Sequence, residues 1–333
     1  MGHHAPFTVD RGRHQDAVTP WDQESWRTAA LDWVHGRLAV HGLRATGPLQ
    51  VRLRPWSVLV RVPVAGRGAV WFKANPPASG FEGALTAALA RWVPEHVLEP
   101  LAVDAERGWS LLPDGGDLFR TVLERGRVEP RAWESLLSQY ASMQRALVPH
   151  AREIVRLGVP SARAPELPEV FDKLLAQNAA LRPEERARLE ALRPRLVDWC
   201  TELAASGVPD SLDHSDLHDG QLFNPEPGRY TFFDWGDAAV SHPFCSLQVT
   251  ARRACGRYGP EVLPRLRDAY LEPWTGAGRT AAELRRAVRL AWRLSALGRA
   301  RAWGGFFPTA PGTALLARES AHSLLELFEE PPL

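Results

Sequence analysis

The feature that most constrains this chain is a change of rhythm at Pro113-Asp114-Gly115-Gly116. Before it, apolar residues come in short runs. Leu49–Leu53, Val58–Val64 and Ala69–Lys73 read as strands, the last two as a hairpin through the turn Ala65-Gly66-Arg67-Gly68. Val97–Val103 and Gly108–Leu112 read as two further strands. Two helices are expected beside them. Trp21–Gly42 carries Trp26, Ala29, Ala30, Trp33, Val34 and Leu38 at helical spacing, and Gly83–Trp92 is rich in Ala and Leu. Beyond the turn cluster a helical period takes over: Arg131–Leu147, Val170–Leu181, Pro183–Ser206, Ser246–Cys255, Pro260–Tyr270, Ala281–Trp303 and Thr313–Phe328. Strands followed by a long helical stretch imply an α+β chain with two lobes. Residues 1–112 form a small antiparallel-sheet lobe with a leading helix, and residues 113–333 a larger, mainly helical lobe.

Composition narrows the function classes. The 333 residues, 45% hydrophobic, suffice for a sizeable core. Charged residues make up 24% and the net charge is +1, which supplies no global attraction to nucleic acid or to an anionic membrane. Three widely spaced cysteines, Cys200, Cys245 and Cys255, fit neither a disulfide framework nor a zinc knuckle. Met1–Asp10 has no apolar core of a secretory signal, and no apolar run approaches the roughly 18 residues that span a bilayer. A cytoplasmic protein is expected. Thirteen Trp are scattered along the chain, and most are assigned to core packing.

The helical pattern pauses between Ser211 and Trp235, where polar clusters lie beside short apolar runs. Leu222–Asn224 and Arg229–Phe233 should pair through Pro225-Glu226-Pro227-Gly228. Such a hairpin brings the start of one strand near the end of the other. Asp216, Gln221 and Asp234 would then converge, and their oxygens suit a hard cation such as Mg²⁺. Asp234 follows the apolar pair Phe232-Phe233, where an idle carboxylate would be costly.

At these residues the chain resembles the aminoglycoside phosphotransferase and choline kinase superfamily, itself similar to protein kinases. His214-Ser215-Asp216-Leu217-His218-Asp219-Gly220-Gln221 is similar to that family's His-Gly-Asp-Leu-His-x-Gly-Asn loop, and Phe233-Asp234-Trp235-Gly236 to its metal motif. Order and close spacing make the two together specific. The resemblance implies a protein-kinase-like fold and an enzyme that moves the γ-phosphoryl group of ATP, or another nucleoside triphosphate, to a hydroxyl of a small molecule. It implies that Asp216 orients the acceptor hydroxyl and takes its proton. Asp234 and Gln221 would hold Mg²⁺, and His214 would brace the loop. In the first lobe, Trp71-Phe72-Lys73 resembles the strand that carries the phosphate-binding Lys, with Glu82 as its partner. Glu82 also reads as an ordinary solvated acid at a helix start. Ser57, in Pro55-Trp56-Ser57, falls where kinases place a loop over the phosphates, although no GxGxxG is present. Leu112 and Asp114, in Leu111-Leu112-Pro113-Asp114, resemble the hinge that receives adenine.

Three departures stand out. Gln221 replaces the family's Asn and is one methylene longer. Ser241-His242-Pro243-Phe244-Cys245-Ser246-Leu247 keeps Pro243 and Leu247 of the family's Gly-Asp-Pro-x-x-Asp-Leu but lacks both acids, which changes how the catalytic segment is anchored. Asp237 is an additional carboxylate, either a substrate contact or a turn cap. The acceptor is less legible. Ala281–Trp303 carries Arg285, Arg286, Arg289, Arg293, Arg299 and Arg301 against one acid, Glu283, and gives no support for a polycationic acceptor. A hydroxylated antibiotic, a sugar or another neutral metabolite fits as well, with Trp292 and Trp303 as stacking walls or as core. Two rival readings stay open: a nucleotide-binding pseudokinase, motivated by Gln221, and a metal-dependent hydrolase using His214, Asp216, His218 and Asp234 as ligands.

Overall fold

The computed structural model describes residues 6–66, 68–126, 128–276, 278–307 and 313–333, with the side chains of 313–315 left out. Arg67 of the expected turn and the first residues of Met1–Asp10 lie outside the described set. The chain divides into two compact units. The first runs to Gly115 and takes in a short stretch beginning at Gly305, and the second spans Gly116–Gly304 and resumes at Ala314.

The first unit is built on strands β1 (Phe7–Asp10), β2 (Leu49–Arg54), β3 (Ser57–Val64), β4 (Gly68–Ala74), β5 (Ala102–Asp104) and β6 (Trp109–Pro113), with helices α1 (Glu24–Val40) and α2 (Glu82–Trp92). The six strands form one sheet in the order β1-β2-β3-β4-β6-β5. All neighbours are antiparallel except β1, which runs parallel to β2. Strand alternation sorts the two faces. Leu49, Val51, Leu53, Val58, Val60, Val62, Val70, Phe72, Trp109 and Leu111 join Ala30, Leu31, Val34 and Leu38 of α1 in one buried cluster. Trp26 and Trp33 close it, each packed edge-on against Trp109 with ring centroids 5.5 and 5.9 Å away. The opposite face carries Lys73 beside its register partners Leu59 and Ser110. Gly83 lets α2 lie close against this face, because a Cβ there would stand 2.9 Å from Val103 Cγ1.

The second unit contains α3 (Phe119–Arg125), α4 (Arg131–Leu147), α5 (Ala151–Arg156), β7 (Ser161–Ala162), α6 (Leu167–Gln177), α7 (Pro183–Ala204), β8 (Ser211–Asp213), β9 (Leu222–Glu226), β10 (Arg229–Phe232), β11 (Ala239–Ser241), α8 (Leu247–Tyr258), α9 (Leu263–Leu271), α10 (Ala281–Ala302) and α11 (Thr313–Leu325). α4 buries Trp133, Leu136, Leu137, Tyr140, Ala141 and Gln144 along one stripe. β9 and β10 pair antiparallel, with Phe232 opposite Leu222. β11 lies between β7 and β8, parallel to the first and antiparallel to the second. No helix among the described residues is long and apolar enough to cross a membrane. All three cysteines are free.

Some expected elements shift. The run Val97–Val103 yields only Ala102–Asp104, because Pro100 lacks an N–H and pairing begins where Leu101 N–H bonds Leu111 O at 2.8 Å. The helix expected to reach Leu181 stops at Gln177. There the Asn178 side chain accepts from the amides of Ala180 and Leu181 at 2.9 and 3.2 Å and turns the chain.

Candidate active site

In the first unit, β4 delivers Lys73 and the first turn of α2 delivers Glu82. Both side chains are buried, at 8% and 4% exposure. Lys73 Nζ stands 2.8 Å from Glu82 Oε1 and 2.7 Å from Oε2. Asn75 Nδ2 donates to Oε2 at 2.8 Å, so the carboxylate is gripped from two sides. Two charges removed from water at this cost are weak evidence for stability alone. Their arrangement instead presents a fixed ammonium on the polar face of the sheet. Glu82 is therefore a buried acid and not a solvated helix-start residue. Asn75 was not anticipated; its only sequence signal is its place one residue past β4.

The other expected nucleotide residues are placed as follows. Pro55 and Trp56 form a two-residue reversal, and Ser57 opens β3 opposite Arg54. Leu112 pairs with Trp71, and Asp114 Oδ2 accepts from Trp71 Nε1 at 3.4 Å.

In the second unit the loop after β8 is tied down at several points. Asp213, 4% exposed, is its anchor. Its Oδ1 accepts from the Ser215 amide at 2.9 Å and from Ser246 Oγ at 2.6 Å. Its Oδ2 accepts from Ser215 Oγ at 3.1 Å and Ser241 Oγ at 3.3 Å. Ser246, having given its proton to Asp213, accepts the His214 amide at 3.3 Å, as does Tyr140 Oη of α4 at 3.1 Å. The expected change in anchoring is thus specific: Ser246 stands where the family motif has Asp, and Asp213 of β8 supplies the carboxylate. Nothing in the spacing singled out Asp213, although it directly precedes the motif.

His214 is fully buried, and burial holds its pKa below the ordinary value, so the ring is neutral. Its Nε2–H donates to Phe233 O at 2.9 Å. The Phe233 amide donates in turn to Gln221 O at 3.1 Å. Residues 214, 221 and 233 are knit together, and Asp234 follows in a left-handed conformation at φ 67°. Such a conformation is costly for a residue with a Cβ.

Asp216 projects from this frame with its side chain 42% exposed. Gln221 Nε2 approaches its Oδ2 at 3.5 Å, as does His218 Nε2. His218 Nδ1 accepts from the Gly220 amide at 2.9 Å, which places the ring proton on Nε2, facing Asp216. Burial, then the charge of Arg120, pushes His218 down to about 4, so it stays neutral. Partial burial of its carboxyl and the negative charge of Asp234 push Asp216 up to about 6. Next along the loop, Asp219 is held by Arg120 in two contacts of 3.1 Å.

The donor set tests the implied cation. Asp216, Gln221 and Asp234 offer carboxylate and amide oxygens, which fit Mg²⁺. Among the described residues no three His, Cys, Asp or Glu side chains are grouped to hold a metal. His214 is committed to Phe233 O and His218 Nδ1 to Gly220, so the His-x-Asp-x-His spacing does not form a ligand set.

Of the expected acceptor residues, Asp237 is half-buried and its main-chain oxygen accepts from Arg301 at 2.8 Å. Trp303 is half-buried at the end of α10, whereas Trp292, 4% exposed, is part of the helical core. The six arginines of α10 all have partners. Arg285 pairs with Asp268, Arg286 with Glu202, Arg293 with Glu330 and Arg299 with Glu326. Arg289 and Arg301 donate to the main-chain oxygens of Leu333 and Asp237.

A small mixed sheet with a buried Lys–Glu pair, and a helical unit with this loop and hairpin, define a kinase-like phosphotransferase. The phosphotransferase enzyme family matches residues 31–285, and the chain belongs to it; it is a small-molecule kinase. Solved structures share the fold. A Plasmodium vivax ethanolamine kinase is 12% identical with a TM-score of 0.60, covering 91% of this chain and 89% of its own. A macrolide 2'-phosphotransferase from Brachybacterium faecium is 20% identical with a TM-score of 0.56, covering 89% and 98%. An aminoglycoside phosphotransferase solved with GDP and kanamycin is 15% identical with a TM-score of 0.56, covering 90% and 96%. No curated protein matches the chain.

Proposed function

We propose that this kinase uses ATP or a related nucleoside triphosphate with Mg²⁺ to phosphorylate a hydroxyl of a small molecule, with Asp216 as the proton acceptor. The observation that carries this reading is the knit of His214, Gln221 and Phe233, which fixes Asp216 and Gln221 within 3.5 Å of each other beside the root of Asp234. Asp216 accepts the acceptor's O–H and takes its proton as that oxygen bonds to the γ-phosphorus. The bond from phosphorus to the bridging oxygen breaks, and its electron pair leaves on the nucleoside diphosphate. His218 and Gln221 donate toward Asp216 and hold its carboxylate in one orientation. Asp234 and Gln221 would hold the cation, which would neutralise phosphate charge when bound. Lys73, fixed by Glu82 and Asn75, binds phosphate oxygens. Ser57, Leu112 and Asp114 are assigned to the nucleotide, and Asp237 and Trp303 to the acceptor. Positioning and charge neutralisation suffice for such chemistry. Free thiols accord with a reducing compartment such as the cytoplasm.

Two substitutions test the assignment. Lys73→Ala and Asp234→Ala should each abolish Mg²⁺- and nucleotide-dependent phosphorylation, assayed with ATP and GTP in parallel. Full activity in both variants would refute it.

A further inference from the structure

Beside the catalytic loop the second unit has a hollow of about 430 Å³, bordered by Leu123, Trp133, Asp219 and three arginines of α8, Arg252, Arg253 and Arg257. That size suits a small metabolite. The arginines are not equally committed. Arg252 is ion-paired with Glu326 at 2.5 Å and Glu329 at 3.1 Å. Arg257 donates to Leu123 O at 2.7 Å, a neutral partner that leaves its charge uncompensated. Arg253 is exposed and makes no hydrogen bond or ion pair among the described residues. Arg253 and Arg257 stand one helical turn apart on the same face, an arrangement of like charges that is unfavourable when no anion intervenes. The acid on this wall, Asp219, is already held by Arg120 at 3.1 Å. Neither Arg253 nor Arg257 therefore has an ion-pair partner among the described residues, and both border the hollow.

The hollow shares Asp219 with the loop that carries Asp216. Asp219 Oδ1 lies 3.9 Å from His218 Nδ1, and the other ring nitrogen of His218 lies 3.5 Å from Asp216. Resting on the kinase reading above, we propose that this hollow anchors the acceptor and that the acceptor is an anionic hydroxyl compound. Its carboxylate or phosphate group is bound by Arg253 and Arg257, and its hydroxyl faces Asp216. Polycationic acceptors are repelled from the same wall.

The test uses the full-length protein with Mg²⁺ and ATP. Gluconate and glycerol 2-phosphate serve as carboxylate and phosphate probes, glucitol as the neutral probe and glucosamine as the cationic one. An anionic probe should give the highest kcat/KM, and Arg253→Glu/Arg257→Glu should lower that value about tenfold to a hundredfold while narrowing or reversing the preference over glucosamine. Calorimetric binding of the two anions, with Mg²⁺ and a non-hydrolysable ATP analogue present, should weaken in the same variant. Preference for the neutral or cationic probe, or anion binding that is absent or unchanged by charge reversal, would overturn the proposal. Failure of the kinase reading is separate: it would appear as no Asp216-dependent transfer from nucleotide to any acceptor.

Discussion

At position 215 the related loop has Gly, and this chain has Ser at φ 63°. A left-handed conformation costs a residue with a Cβ about 1–2 kcal/mol. Asp213 offsets it by accepting both the amide and the hydroxyl of Ser215. The same carboxylate also takes Ser241 and Ser246, so one buried acid closes the gap left at Ser246, one of the two positions where the loop at Ser241–Leu247 lacks the family's acid. Asp213→Ala strands three hydroxyls and an amide, and should cost about 2–4 kcal/mol in denaturant unfolding together with loss of transfer activity. Ser215→Gly trades a hydrogen bond for relief of strain and should change stability by less than about 1 kcal/mol. Equal losses in the two variants would contradict this account. Gln221 makes a second case. Its main chain holds Phe233, and its amide reaches Asp216. Gln221→Ala should raise the Mg²⁺ concentration for half-maximal rate about tenfold or more, measured by Mg²⁺ titration of activity.

At the scale of elements, the legible parts are those in which burial repeats along the chain. β3 alternates between buried and half-buried residues along its whole length, and α4 runs from Arg131 to Leu147 as its stripe predicts. β1 was not legible because all four of its residues are exposed. The small sheet of β7, β11 and β8 has strands of two or three residues, too short for any period, yet it positions Asp213 and Ser241. Lys73, Glu82, Asp216, Gln221 and Asp234 stand out in the sequence because their motifs resemble ones that carry chemistry, and the fold pairs Lys73 with Glu82 and brings Gln221 to Asp216. Asn75, Asp213 and Arg120 were not, since their roles come from neighbours distant in sequence. His242 follows the small sheet and is fully enclosed. Its Nδ1 accepts the Phe244 amide and its Nε2 faces Ser206 Oγ, each at 3.3 Å. Burial pushes it down to about 3, below the ordinary 6.5. The unfolded chain therefore binds more protons between these values. Its stability contribution is complete above pH 6.5 and is lost as pH falls toward 3. Unfolding free energy should drop by about 1 kcal/mol per pH unit between pH 6 and 4 from this residue, and His242→Gln should flatten that slope. An unchanged slope would contradict the assignment.

For the whole molecule, the proposed chemistry is divided between two units. One holds a cation against a buried acid on a sheet face, and the other holds a carboxylate at the tip of a braced loop. Neither arrangement is needed for a stable core, and each carries buried charge or strain that a purely structural element would shed. The family match covers both. The near-neutral net charge of +1 conceals a local contrast: four of the six arginines of α10 are ion-paired, whereas Arg253 and Arg257 of α8 have no ion-pair partner among the described residues. The central claim is that Asp216 receives the acceptor's proton during phosphoryl transfer. Mass spectrometry of a panel of hydroxylated acceptors after incubation with enzyme, Mg²⁺ and ATP or GTP tests it most directly. A phosphate adduct that forms with the wild-type chain and disappears with Asp216→Ala is the predicted result; an adduct formed at the wild-type rate by Asp216→Ala would contradict it.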